Sequence, residues 1–299
     1  MKRGLLLKGR LLLKRGLLLK RGLLSKRGVV VSALVPLALA LAAACGGGGT
    51  QRLPEGQKLD PDAARRELFL RGLSYNKETF LAEAKEGDAV SLKLFAWAGM
   101  SPDTRDEKTD TALVIASRGG HAAAARTLLE NGADPNARGE RAHTALMRAA
   151  LAGSAETVRA LLEGRADPNL KTEDGTTALM YAVNAGQPAM VEDLIRAGAD
   201  VRAADRVSGP VLVWASFYER PEIVTRLLDA GADPNAAGET GTTPLMTAAA
   251  KGNAEVVRLL LSRGAKAGLR EKREKKTASD FAAEKGHEEV VGILKQAAR

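Results

Sequence analysis

The sequence predicts an all-α fold made of short helix pairs stacked on copies of themselves. Three observations carry this: equivalent positions recur every 33 residues, each interval reads as a helix pair, and the helices are too short to be stable alone. The clearest copy is Gly241 to Ala265, GTTPLMTAAAKGNAEVVRLLLSRGA. Thr243 is placed as an N-cap whose hydroxyl accepts from first-turn amides. Pro244 takes the first helical position, where a missing N–H costs nothing. The first helix runs to about Lys251, and Gly252 stops it in the left-handed conformation. The second carries Val257, Leu260 and Leu261 on an apolar stripe and ends at Gly264.

The other copies follow by register. Leu245 recurs as Leu212, Leu179, Leu146 and Leu113 in steps of 33; one further step back is Phe80, and a forward step of 34 is Ser279. The stop of helix one recurs as Gly87, Gly120, Gly153, Gly186 and Gly286. Paired apolar residues close helix two, as in Leu128/Leu129, Leu161/Leu162, Leu194/Ile195 and Leu227/Leu228. Tails such as Gly132-Ala-Asp-Pro-Asn and Gly231-Ala-Asp-Pro-Asn follow. A T-x-L…A…G…LL…GADPN pattern at this period resembles the ankyrin repeat over roughly residues 78–299, with one tail in a form common among bacterial members. The resemblance implies an α-solenoid of about seven helix–turn–helix repeats, each followed by a short β-hairpin finger. It also implies a partner protein lying across the concave face.

Charge belongs to the start of the chain. Of the 45 Lys and Arg, ten lie in residues 1–44, which hold no acid; the remaining 35 face 36 Asp and Glu. The repeat body is near neutral, which gives no support to a nucleic-acid partner bound by counterion release. A single cysteine, Cys45, excludes an intramolecular disulfide. The three histidines stand in different repeats. His121 and His287 fill the Gly-His step after helix one, where the resemblance gives them a structural role, so no metal is expected.

Taken in order, residues 1–44 are a leader. Leu triplets alternate with Lys, Arg and Gly at a six-residue period over 1–28, which matches no helical face. That stretch reads as an expanded basic n-region or as translation from a start codon set too far upstream. Val29 to Ala44 is apolar, uncharged and shorter than the roughly 20 residues of a spanning helix, as in a signal-peptide core. Leu41-Ala-Ala-Ala-Cys45-Gly resembles the bacterial lipobox, with Ala42 where Leu is usual; an ordinary cleaved signal is the other reading. On the lipobox reading, Cys45 is lipidated and the protein sits in the bacterial cell envelope, on the periplasmic side of the outer membrane. If residues 1–44 are no true signal, it is cytoplasmic. Residues 45–59 form a glycine-rich tether, and Asp60-Pro61 opens a capping helix within 60–77.

The repeats of 78–299 then carry individual departures. Phe80, Phe95 and Trp97 load the first. Arg165 stands where the third copy should have its helix-ending glycine, and the adjacent Gly164 is expected to take over. Val201-Arg202 replaces Pro-Asn in the fourth, whose finger should differ by one bond. The sixth ends in the mixed-charge run Arg270 to Lys276, read as a solvated finger.

Enzyme signatures are absent: no G-x-S-x-G, GxxxxGK[ST], H-E-x-x-H or C-x-x-C occurs. Asp134, Asp167, Asp200 and Asp233 repeat in register, so the resemblance makes them turn caps, as it does Asn136, Asn169 and Asn235. Equivalent carboxylates also cannot supply the unlike pair that acid–base chemistry needs. Neither catalysis nor a cofactor is expected. Surface is what remains. Register places Arg118, Leu151, Asn184, Phe217, Tyr218 and Lys251 at exposed ends of first helices. Finger tips include Asp106, Arg138, Arg141, Lys171, Asp205 and Arg206. The fifth repeat stands out, because Trp214, Phe217 and Tyr218 fall within five residues of a chain that is 3% aromatic. Tyr181 lies one repeat before Trp214. Aromatics and Arg dominate binding hot spots, so partner contact is assigned to Phe217 and Tyr218. For Trp214 and Tyr181, contact and packing between helices both stay open. Met147, Met180 and Met246 read as filling beside the anchor leucines. The sequence-level expectation is a membrane-anchored, non-catalytic protein-binding lipoprotein, with an immunity-type inhibitor or a passive envelope scaffold as the alternatives.

Overall fold

The structure, a computed structural model, describes residues 58–298. The leader, the apolar segment, Cys45 and nearly all of the tether lie outside the described residues. Among the described residues there are fifteen α-helices, a single 3-10 turn and no sheet. Asp60 caps α1 (Pro61–Leu70) by accepting from the amides of Asp62 and Ala63, and the helix lays Ala64 and Leu68 against the stack.

Seven helix pairs follow. They are α2 (Lys77–Glu86) with α3 (Ala89–Trp97), α4 (Ala112–Arg118) with α5 (Ala122–Glu130), and α6 (Ala145–Leu151) with α7 (Ala155–Glu163). Next come α8 (Ala178–Ala185) with α9 (Pro188–Arg196), α10 (Val211–Phe217) with α11 (Pro221–Asp229), and α12 (Pro244–Lys251) with α13 (Ala254–Ser262). The last pair is α14 (Ala278–Glu284) with α15 (Glu288–Ala297). Even-numbered helices stack on one another as an inner layer and the odd-numbered ones as an outer layer, with α1 capping the outer layer beside α3. The architecture is an α-solenoid.

Each inner helix is short because its ends are written into the sequence. Thr111, Thr144, Thr243 and Thr277 accept from the third amide of their helices, with Pro244 at the first position of α12. The anchors Phe80, Leu113, Leu146, Leu179, Leu212 and Leu245 are at most 1% exposed. Met147, Met180 and Met246 join them in the core at 0–1%. Gly87 ends α2 at φ +80, and a Cβ there would lie 2.5 Å from the His121 ring, whose Nε2 bonds the Lys85 carbonyl. His287 repeats this bond to the Ala250 carbonyl. In the fifth repeat Glu219 takes the left-handed conformation at φ 56, and the Arg220 guanidinium covers Gly186 as His121 covers Gly87.

The fingers are tight turns rather than hairpins with strands. Isolated antiparallel bridges join Arg105 to Thr111 and Ala204 to Pro210. One amide-to-carbonyl bond closes each finger: Asp106 to Asp110, Gly139 to His143, Thr172 to Thr176, Asp205 to Gly209 and Gly238 to Thr242. The sixth, Glu271 to Lys276, accommodates the one-residue insertion. Glu271 is buried, and its carboxylate accepts from the amides of Arg273, Glu274 and Lys276. This residue of the charged run therefore caps the finger from inside, where the sequence suggested a solvated tip.

A ladder ties the turn bases together. Asp134, Asp167, Asp200 and Asp233 each accept from the amide two residues on. Asp103, Asn136, Asn169 and Asn235 reach forward, accepting from the amides of Asp134, Asp167, Asp200 and Lys266. Arg202 occupies the same register and has no such side chain, so among the described residues no rung joins it to Asp233. The third repeat corrects one expectation: Arg165 itself is left-handed at φ 64, while Gly164 stays at φ −76. A Cβ on Gly164 would lie 2.6 Å from Leu129, so that glycine makes room for its neighbour instead of turning the chain.

Candidate functional site

The exposed aromatic cluster lies where α10 ends. A seven-residue helix leaves its last turn beyond the core, so Leu212, Val213, Ala215 and Ser216 are buried while Phe217 is 49% exposed. Tyr218 is the C-cap, and its amide bonds the Trp214 carbonyl at 3.0 Å. The Phe217 and Tyr218 rings meet edge to face at 5.2 Å, and Trp214 lies 5.9 Å from Tyr218. Edge contacts of this kind hold rings in a defined pose. The Lys251 ammonium sits 4.1 Å over the Phe217 ring. The Trp214 Nε1–H is buried without an acceptor.

Two pockets open on either side of Phe217. One, about 270 Å³, runs toward the finger and is walled by Val207, Trp214, Tyr218 and Thr240. The other, about 400 Å³, runs along α12 toward α14 and is walled by Met246, Lys251, Phe281 and Lys285. Phe217, Thr242 and Thr247 belong to both, so the two form one groove with Phe217 as its central ridge. Val207, at 81% exposed, stands at its mouth.

The structure brings together Trp214, Phe217 and Tyr218 from the sequence-selected residues. The others go elsewhere. Tyr181 is half-buried one repeat away, its hydroxyl 2.8 Å from Nε2 of His143, whose Nδ1 bonds the Glu140 carbonyl at 3.0 Å. Burial pushes the Tyr181 hydroxyl pKa up. Arg118 folds back on the wholly buried Asp110, which also accepts from the Glu140 amide at 2.8 Å. Arg138 donates to the Lys171 carbonyl at 3.0 Å, and Arg141 pairs with Asp174 at 2.7 Å, so both link one finger to the next. The side chains of Lys171 and Arg206 are exposed, and the Arg206 amide bonds the Asp174 carbonyl.

Sequence reasoning missed the groove's far wall. Phe281 and Lys285 sit in a degenerate last repeat, and the Thr247 hydroxyl belongs to no repeated letter. Register could have found them, since Lys285 lies 34 residues after Lys251, the step that carries Leu245 to Ser279. Asp110 was also passed over. Gly139 is what admits it, because a Cβ there would fall 2.0 Å from the Asp110 carboxylate. Among the described residues no group of His, Cys, Asp and Glu is placed to hold a metal, and no helix is long and apolar enough to cross a membrane.

Among curated proteins none matches the chain. Solved structures do. The ankyrin repeat domain of human ASB11 is 30% identical with a TM-score of 0.65, over 72% of this chain and 96% of that one. The ankyrin repeat domain of Bcl-3, a member of the IkappaB protein family, is 28% identical with a TM-score of 0.64, over 72% and 97%. The family described as ankyrin repeats in three copies matches residues 80–172, 138–205 and 212–298. With the helix pairs, the turn ladder and these matches in agreement, the chain belongs to the ankyrin-repeat family.

Proposed function

We propose that this protein is a non-catalytic module that binds a protein partner along its inner helices and fingers, with Phe217 and Tyr218 as the anchor. Ankyrin repeats are generally protein-binding modules. The observation that carries the reading here is a half-exposed Phe217 forming the ridge of an open groove, flanked by two further aromatics. Such residues bury a large area at small entropic cost, which is why they concentrate binding energy. The test is affinity capture with the full chain against its Phe217→Ala/Tyr218→Ala variant. A partner retained by the first and lost from the second, with helical content unchanged, supports the reading. Equal capture by both removes the groove from the interaction.

The lipid anchor is proposed on the Cys45 pattern alone. Radiolabelled palmitate incorporated into the membrane fraction, and lost in Cys45→Ser, is the expected result. Labelling that survives the substitution would exclude this attachment.

A further inference from the structure

Resting on the protein-binding reading above, the geometry points to the chemistry of the partner: an acidic segment that sets a bulky apolar side chain beside Phe217 and carboxylates against Lys251 and Lys285. The lining of the groove is the evidence. Neither pocket has an acidic wall residue, and the charged groups lining the groove are Lys251 and Lys285. Among the described residues neither lysine has a carboxylate within ion-pairing distance. Lys276, near Phe281, is by contrast bound by Glu274 and Glu284. Two unneutralised ammonium groups above an apolar floor favour a carboxylate ligand, because desolvated opposite charges attract while a cationic ligand would be repelled.

The floor sets the second requirement. Val207, Trp214, Phe217 and Phe281 present apolar surface on both sides of the ridge, with the buried Met246 beneath. The pocket of about 270 Å³ falls just below the roughly 300–1,000 Å³ typical of ligand sites and the one of about 400 Å³ at its lower end, so each suits one or two side chains. Their shared lining of Phe217, Thr242 and Thr247, with Val207 at one end and Lys285 at the other, suits a chain that runs from finger to helix end. A phosphate-rich surface fits less well. Residues 45–299 are near neutral overall, and two lysines are too few to hold a membrane or a nucleic acid by counterion release.

The test selects phage-displayed random short peptides on the full chain and measures the enriched ones by fluorescence anisotropy. Enriched peptides are expected to carry net negative charge and at least one Trp, Phe or Leu. Their affinity should fall about tenfold or more in Lys251→Glu/Lys285→Glu, and comparably in Phe217→Ala, with circular dichroism unchanged. Enrichment of neutral or basic peptides that still depend on Phe217 would overturn the acidic specificity and leave the groove a protein site. No enrichment over the charge-reversed variant overturns the inference too. So does binding to phosphatidylglycerol vesicles that the reversal abolishes, or a dimer in sedimentation that Phe217→Ala dissolves. Peptide binding indifferent to all three residues, alongside unchanged partner capture, removes the underlying reading as well.

Discussion

The Tyr181 hydroxyl donates to Nε2 of His143 across 2.8 Å, joining two repeats through a half-buried pair. The donor roles follow from the other ring nitrogen. A carbonyl can only accept, so Nδ1 carries the proton toward Glu140 and Nε2 is left as the acceptor. Burial first, then the nearby Arg148 and Arg141 charges, hold the imidazole below its ordinary value of 6.5. A histidine depressed in the folded state takes up its proton more readily when unfolded. Its contribution to stability is present above the unfolded value and is lost as the pH falls from there through the folded one. Denaturant midpoints measured downward from about pH 7 should therefore fall, and fall less in His143→Gln. Parallel falls in both proteins would clear His143 of the effect.

Arg118 and the finger cations should separate in a stability assay. Removing Arg118 leaves the Asp110 carboxylate buried and unneutralised, so Arg118→Ala should cost about 2 kcal/mol. Lys171→Ala and Arg206→Ala, at exposed side chains, should stay within about 0.5 kcal/mol. Urea denaturation of the three variants settles the order, and an Arg118→Ala protein as stable as the other two contradicts the pairing.

The turn-base ladder can be completed. Arg202→Asn puts an acceptor where Asn136, Asn169 and Asn235 already have one, and should add about 0.5–1 kcal/mol. Asn169→Ala should subtract a similar amount. A rise in thermal midpoint for the first and a drop for the second is the expected pair of results.

Arg165→Gly should also stabilise. A side chain at φ 64 pays about 1–2 kcal/mol relative to a right-handed residue, partly offset by the extra freedom glycine has when unfolded, for a net gain of about 0.5–1 kcal/mol. Gly164→Ala should move the other way, since its new methyl would press on Leu129. Calorimetry on both variants checks the assignment of the left-handed position to Arg165.

The helices were legible because their determinants repeat as letters. Leucine anchors, threonine caps and glycine stops each serve one purpose, and the purpose returns every 33 residues. The finger turn was not, since Asp106, Thr172, Asp205 and Glu271 perform it with different side chains. At the same position Gly139 and Gly238 do it with none. Chemistry that several residue types can supply leaves no repeated letter, which is why Asp106 and Asp205 read as surface and are instead turn caps. Phe217 and Tyr218 could be singled out because aromatics are scarce in this chain. The two-sided groove could not, as its walls come from three repeats and depend on how far each helix end projects.

The missing rung at Arg202 gives the array a seam. Everywhere else along the turn bases from Asp103 to Lys266, a side chain of one repeat grips the backbone of the next. Between the fourth and fifth repeats that grip is released, immediately before the segment that carries Trp214 and Phe217. In a linear array, where each unit leans only on its neighbours, a slack joint lets the two sides flex and fray separately. At this joint the two repeats are held by their helices and by the Arg226–Glu192 ion pair without a turn-base rung, so fraying of the array is expected to start there.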